Sequence, residues 1–403
     1  MSLMTQAVAA PTGMGVESTG FSLVRGGPLF ALQRAVGLTT APNDGAVQRG
    51  LLLGAIAWLP LVALAFVDGV AIGAPGPASL LTDYAAWARF AIAVPLFVAV
   101  EPIADRWVAV TTQYLVTSGI VGEAARPAFD AALERAGRRR DSWRNELVIL
   151  VLAYAVANAS AGVRAAVPEA TWLHGVRGGP GLSYTALWYA GVSLPLFNFL
   201  LLRWFWRLTL WTLLVRRTSK LDLRLVPGHP DRAAGLGVLG EVPPAFALLA
   251  FGIGTVFAGG LANWVIVGGI SVQFVAAVAV AHLTLSVLIF VAPIVGFWRL
   301  LRRERLRALV GYGVLGSELV RQFEGRWLRP GSGQEEEALS APDFSALTDF
   351  NQLVDVVREM KFVPIGRAGF IRLAAAALCP FLPVVAMIVP VRDLADAMIG
   401  LVF

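Results

Sequence analysis

The sequence predicts an all-α fold: a polytopic transmembrane helical bundle of about seven spans with cytoplasmic amphipathic helices. Three observations predict it. From Val242 to Trp298 the chain runs 57 residues without one Asp, Glu, Lys or Arg, more than twice the roughly 20 apolar residues one helix needs to cross a bilayer. Hydrophobic residues make up 57% of the 403 and charged residues 15%, where soluble domains average about 45–50% and 25%. A soluble chain of this length could not hide so much apolar surface. Finally, basic residues collect between alternate apolar segments, 29 on one side and 4 on the other.

The spans follow in order. Leu51–Val67 is uncharged for 17 residues and contains Pro60. The second, near 83–101, is interrupted by Arg89, a side chain long enough to snorkel to headgroups. Leu147–Val163 is again uncharged for 17 residues, and Gly178–Leu202 for 25; the fourth span is placed near 183–202. Its helix is expected to run on through Trp204, Trp206 and Trp211, an aromatic cluster beside Arg203 and Arg207 that suits a membrane–water interface. The 57-residue run divides into spans near 244–266 and 273–297, joined by a tight turn at Val267-Gly268-Gly269-Ile270-Ser271. The last span lies near 370–391, where Leu373–Val391 gives 19 uncharged residues.

Alternation of the basic residues sets the orientation. It predicts a cytoplasmic N-terminal segment (1–49), cytoplasmic loops 102–146 and 203–241, and a cytoplasmic helical segment 299–369. A short tail, 392–403, is left outside. The first 49 residues lack a signal peptide's apolar core, so the first span is expected to stay as an anchor. Of 33 basic residues 31 are Arg; with abundant Ala, Gly, Val and Pro this suggests GC-rich coding and a bacterium, hence its inner membrane. Within the cytoplasmic parts, 123–140 is a charged helix candidate and 299–328 continues the sixth span. Leu347, Phe350, Leu353, Val354, Val357 and Met360 are spaced for an amphipathic helix. Between the last two, 330–342 carries Gly331, Gly333 and three consecutive Glu, as a linker does. No internal repeat is evident, so the inverted-repeat signature of many transporters is not expected.

Gly235-Leu236-Gly237-Val238-Leu239-Gly240 fits the dinucleotide fingerprint GxGxxG only in its letters. The fingerprint needs a buried strand before it, a soluble helix after it and an acid about 20 residues on. Here a transmembrane segment follows, and no acid appears between Glu241 and Glu304. The glycines are read as admitting close backbone packing. His229-Pro230-Asp231 is the tripeptide by which J-domain co-chaperones engage their chaperone partners, but charged amphipathic helices do not flank it here. Pro227-Gly228-His229-Pro230 is read as a turn. Asp231 is then placed to cap the next helix, and Arg232 to pair with a carboxylate. The expected structural loop is therefore His229, Pro230, Asp231, Arg232, Gly235 and Gly237.

As a whole, Pro227-Gly228-His229-Pro230-Asp231-Arg232-Ala233-Ala234-Gly235-Leu236-Gly237 resembles a segment of a family of uncharacterised bacterial multi-pass membrane proteins. Val356-Val357-Arg358-Glu359-Met360, Val363-Pro364 and the Pro-rich last span resemble the same family. A glycine pair is usual there where this chain has Ala234-Gly235. The resemblance covers roughly the second half of the chain. It implies a multi-pass membrane protein and carries no activity, substrate or cofactor.

Chemistry-bearing clusters are sparse. His174, His229 and His282 fall in different compartments, and no His, Cys, Asp or Glu group has ligand spacing. No GxSxG elbow is present, and Asn158-Ala159-Ser160 is a sequon inside a span. No catalytic, cofactor or metal residue is assigned. Polar groups within spans are the functional pointers, because hydrocarbon penalises them unless paired: Glu101, Asn158, Asn198, His282 and Ser286. The bland reading is interhelical hydrogen bonding, and the sharper one is a transport pathway near His282. Gly254, Ala258 and Ala262 form a small-residue stripe that favours close helix packing. Arg299, Arg302, Arg303, Arg305 and Arg307 follow the sixth span and suit anionic lipid headgroups, each charge contributing about 1 kcal/mol near the surface. Lipid is preferred to nucleic acid, since the cluster is short and lies against the bilayer. The sequence thus points to a non-enzymatic membrane scaffold or sensor-like partner protein, with a small-solute transporter or channel as the alternative. A homo-oligomer or a second membrane protein is a possible partner.

Overall fold

The computed structural model describes residues 21–28, 30–31, 45–73, 75–165, 172–173, 183–328 and 342–389. Among them the regular structure is helical throughout, with no strand. The helices are α1 (Ala46–Val67), α2 (Tyr84–Thr117), α3 (Arg126–Arg140), α4 (Trp143–Ala165) and α5 (Tyr184–Thr218). They continue with α6 (Ala247–Gly268), α7 (Val272–Val295), α8 (Trp298–Trp327), α9 (Pro342–Arg358) and α10 (Arg367–Ile388). Six of the described helices are long and apolar enough to cross a membrane: α1, α2, α5, α6 with its lead-in from Gly237, α7 and α10. The expected third span lies in α4, a helix of 23 residues. The chain is a multi-pass integral membrane protein built as a helical bundle of about seven spans.

Two helices outrun the spans expected for them. α2 has 34 residues and α5 has 35, about 50 Å each at 1.5 Å per residue, against a hydrocarbon core of about 30 Å. The expected loops 102–146 and 203–241 therefore open as helix, because charge ends a span without ending a helix. α3 begins with Pro127 in its first turn, where proline's missing N–H costs nothing. It lies along α5 through Phe129, Ala132 and Ala136. Trp204 and Trp211 also depart from expectation. Both are buried in the bundle instead of lying at its edge. The Trp204 indole donates to the Phe97 carbonyl at 2.7 Å, which satisfies the polar end of the ring and lets the rest serve as core.

The structure also corrects the expectation that nothing repeats. Hairpin α1–α2 and hairpin α4–α5 are built alike. Residues 83–97 and 183–197 align without a gap, sharing Tyr84/Tyr184, Ala86/Ala186 and Pro95-Leu96-Phe97/Pro195-Leu196-Phe197. Asp83 caps α2 by accepting from the Ala86 N–H, and Ser183 caps α5 by accepting from the Ala186 N–H. A π-helical segment then ends at the same place in both, Trp87–Ala93 and Tyr189–Ser193, two residues before the proline. The cause is local: proline has no N–H for the carbonyl four residues back and its ring crowds that carbonyl, so the preceding turn widens. Phe97 and Phe197 meet with ring centroids 5.8 Å apart. Both hairpins run in the same sense, so the repetition is parallel and not inverted. Five identities in fifteen positions are too few to stand out from an Ala- and Leu-rich background.

Each bend has its own neighbour. Gly50 and Gly54 of α1 pack on the first; a Cβ at Gly54 would stand 2.8 Å from the Pro95 ring, and one at Gly50 2.6 Å from the Pro95 carbonyl oxygen. At the second, the Gly191 carbonyl that Pro195 leaves without its N–H partner accepts the Tyr154 hydroxyl of α4 at 3.1 Å. Beyond the hairpins, α6 and α7 turn at Gly269-Ile270-Ser271, where Gly269 takes φ +65° and Ser271 caps α7. α10 packs against both and is broken by a 3-10 turn at Cys379–Phe381. α8 and α9 form an antiparallel pair, with Phe344 against Phe323 and Trp327, and Phe350 against Tyr312. The expected linker 330–342 lies, apart from Pro342, outside the described residues. So do the tail 392–403 and most of 1–49.

Candidate functional site: an ionic knot and a clasp loop

Four spans bring charge to one level. Arg49 precedes α1's apolar run, Glu101 lies within α2, Glu146 precedes the apolar run of α4, and Arg203 and Arg207 lie within α5. Arg207 pairs with Glu101 at 2.8 Å, Arg49 approaches the same carboxylate at 3.8 Å, and Arg203 approaches Glu146 at 3.6 Å. The Arg207 guanidinium also lies 4.9 Å from the centre of the Trp204 ring, where the π face favours a cation. The Glu101 and Arg207 side chains are only 8% and 4% exposed. Buried charges hold together only as a set, since removing one strands its partner in a low-dielectric site. Of these residues the sequence offered only Glu101 as an intramembrane polar candidate, while Arg203 and Arg207 were read as flanking an interfacial Trp cluster. The signal for Arg49, Glu146 and Arg203 was their place, each at the edge of an apolar run.

The knot also anchors the start of the described chain. Asp105, one turn beyond Glu101, accepts from the Ser22 hydroxyl at 2.7 Å and the Leu23 N–H at 2.8 Å, and pairs with Arg25 at 3.2 Å. Arg140 of α3 donates to the Ser22 carbonyl. A cavity of about 20 Å³ between Arg25, Phe30, Arg49, Glu101 and Asp105 has room for about one water. At the opposite end Asp83 accepts from Asn263 at 2.7 Å and from the Trp172 indole at 2.9 Å, tying α2 to α6. Asp68 accepts the N–H and hydroxyl of Thr185, tying α1 to α5.

The loop 226–237 is the second constellation. Asp231 gathers three backbone N–H groups, those of Ala233 at 2.8 Å, Gly235 at 3.1 Å and Gly237 at 2.7 Å. The last opens the 3-10 turn Gly237–Glu241, so Asp231 caps it from six residues upstream. His229 Nδ1 lies 3.0 Å from Asp231 Oδ1. Gly237 leaves room for the carboxylate; a Cβ there would stand 2.8 Å from it. The winding puts Arg232, Ala234 and Gly235 at positive φ, 56°, 55° and 91°. Ala234 thus stands where a glycine would be unstrained.

This loop clasps the α8–α9 pair to the bundle. Gly228 meets the Leu353 side chain and lies near the Tyr312 hydroxyl. Arg232 pairs with Glu359 at 2.9 Å, and its carbonyl accepts the Lys361 N–H at 2.7 Å. Gly240 faces the Pro364 carbonyl so closely that a Cβ there would collide with it.

The remaining predicted residues separate. His282 is 4% exposed; its Nε2 lies 3.0 Å from the Ala250 carbonyl, and Phe257 and Phe381 flank the ring. Ser286, one turn on, is buried as well. Gly254, Ala258 and Ala262 are buried on α6, and a Cβ at Gly254 would stand 3.0 Å from His282. Asn198 donates to the Ala153 carbonyl of α4 at 3.3 Å. Asn158 donates at 2.9 Å to Tyr154 of its own helix and faces outward. In the arginine series, Arg305 donates to the Arg358 carbonyl and lies over Phe362. Arg303 and Arg307 share Glu304, Arg299 lies by Trp298, and Arg302 is exposed. His174 lies outside the described residues. A scan against family models finds no match to the chain, and searches of curated proteins and of solved structures find none.

Proposed function

We propose that this chain is a non-enzymatic membrane scaffold or sensor-like partner protein of a bacterial inner membrane. In this reading the N-terminus is cytoplasmic, the C-terminus lies outside, and the α8–α9 pair is the cytoplasmic working part. One observation carries the reading. The face of α8 turned away from α9 holds Leu306, Val310 and Val314 at 55%, 70% and 69% exposure, one stripe at four-residue spacing, while the other face packs on α9, which the clasp loop ties to the bundle. A helix so anchored on one side and apolar on the other suits a helical partner. The arginines at its base, Arg299, Arg302, Arg303 and Arg307, suit anionic headgroups, and Arg305 is engaged by the hairpin itself.

The transport alternative finds less support. His282 is enclosed by Phe257, Phe381 and Gly254, and the meeting of the two hairpins is filled by Phe97 and Phe197. The test has two arms in full-length protein. A photo-crosslinking residue at Val310 in native membranes should capture one discrete partner, and Leu306→Gln with Val310→Gln should abolish that product. Proteoliposomes should be no more permeable to small solutes than empty vesicles. A His282-dependent solute flux would overturn the scaffold reading.

A further inference from the structure

The outward face of α4 carries a second inference, independent of the α8–α9 reading. Among the described side chains of α4 only Ile149, Ala153 and Ala157 are buried, the narrow stripe that meets α5. All other described residues of its apolar run face out, fully or in part, and Asn158 is among the exposed ones. Its depth follows from the Glu146–Arg203 contact, which marks the charged rim. Asn158 lies twelve residues on, about 18 Å along the helix, inside a hydrocarbon layer about 30 Å thick. Ionisable side chains at that depth almost always face protein, and amides there hydrogen-bond across helix interfaces.

The equivalent helix of the other hairpin shows the contrast. From Leu51 to Val67 every exposed residue of α1 is apolar: Leu51, Leu52, Ile56, Leu59, Ala63, Phe66 and Val67. A surface meant for lipid alone looks like that. α4 differs from it by a carboxamide whose oxygen has no protein partner among the described residues. The exposed Ala155 and Ala159 beside it admit a close helix.

We infer that α4 is the interface of a two-fold dimer of this chain, closed by Asn158 against its symmetry mate. The carboxamide is self-complementary. Its nitrogen has two hydrogens; one stays on the Tyr154 carbonyl and the other is given to the partner's Asn158 oxygen, while its own oxygen accepts in return. A two-fold axis places the same residue opposite itself, so both halves are satisfied at once. A single buried Asn fixes register in this way between soluble helices.

The experiment uses the full chain with Cys379→Ser. Ala155→Cys on α4 should give an oxidised dimer in native membranes, and Leu59→Cys on α1 should give none. By energy transfer in liposomes diluted with lipid, Asn158→Leu should weaken dimerisation about tenfold, while Asn158→Gln, which keeps donor and acceptor, should stay within about twofold. Thermal melts of each variant confirm that the protomer is folded. A monomer at every protein-to-lipid ratio would overturn the inference. So would a dimer indifferent to Asn158→Leu, or one cross-linked through Leu59→Cys in place of Ala155→Cys.

Discussion

Asp83 and Ser183 cap helices one hundred residues apart, and Pro95 and Pro195 bend them at the same place. The hairpins differ in how they resolve that bend and in what their first helix shows to the outside. In α1–α2 the bend is met by glycines, and every exposed residue of α1 from Leu51 to Val67 is apolar. In α4–α5 the bend is met by a hydroxyl, and α4 carries Asn158 outward. Their ion pairs are also reversed in sense. α1 brings an arginine to a glutamate on α2, and α4 brings a glutamate to an arginine on α5. The comparison teaches that the repeated part is the backbone device, the cap, the widened turn and the proline. Side chains around it were free to diverge.

The ion pairs give the largest expected effect. Glu101→Ala strands Arg207 and leaves Arg49 without this carboxylate, and should cost about 3–5 kcal/mol. Glu146→Ala, whose pair is longer and wetter, should cost clearly less. Chemical or thermal unfolding in nanodiscs measures both; equal losses would break the distinction between the hairpins.

The bends give a coupled test. Tyr154→Phe should cost about 0.6–1.5 kcal/mol, the worth of a hydrogen bond between membrane helices. In a Pro195→Ala background the restored N–H supplies the Gly191 carbonyl, and the same change should then cost little. A Tyr154→Phe loss that is identical in both backgrounds would show that proline did not create the site.

How much of this was legible in the sequence depends on the kind of signal. Long uncharged runs announced the spans, because hydrocarbon excludes charge residue by residue. The Gly269 turn, the clasp loop and the α9 amphipathic face were legible for a similar reason, since turn chemistry and periodicity are local. The knot was not, because Arg49, Glu146 and Arg207 become partners only once four spans pack. The repetition was not, because a cap and a proline among apolar letters carry little information. Asn158 was read among the polar residues of the spans, yet the direction it faces required the packed helix.

Two further effects lie in the clasp, the part of the molecule that has no counterpart in the first hairpin. Asp231→Ala removes the acceptor of three N–H groups and should cost about 1–2 kcal/mol. Ala234→Gly relieves a positive φ and should gain on the order of 0.5 kcal/mol, the strain released less the added chain entropy. Both are read by thermal unfolding. A destabilised Ala234→Gly protein would mean that the loop does not hold this backbone.

The account rests on two hairpins entering the membrane in the same sense within a seven-span chain, and topology mapping tests that most directly. Reporter fusions after residues 120, 225 and 340 should read cytoplasm. Fusions after 75, 175 and 403 should read outside. Opposite sides for 120 and 225, or a cytoplasmic reporter at 403, would contradict it.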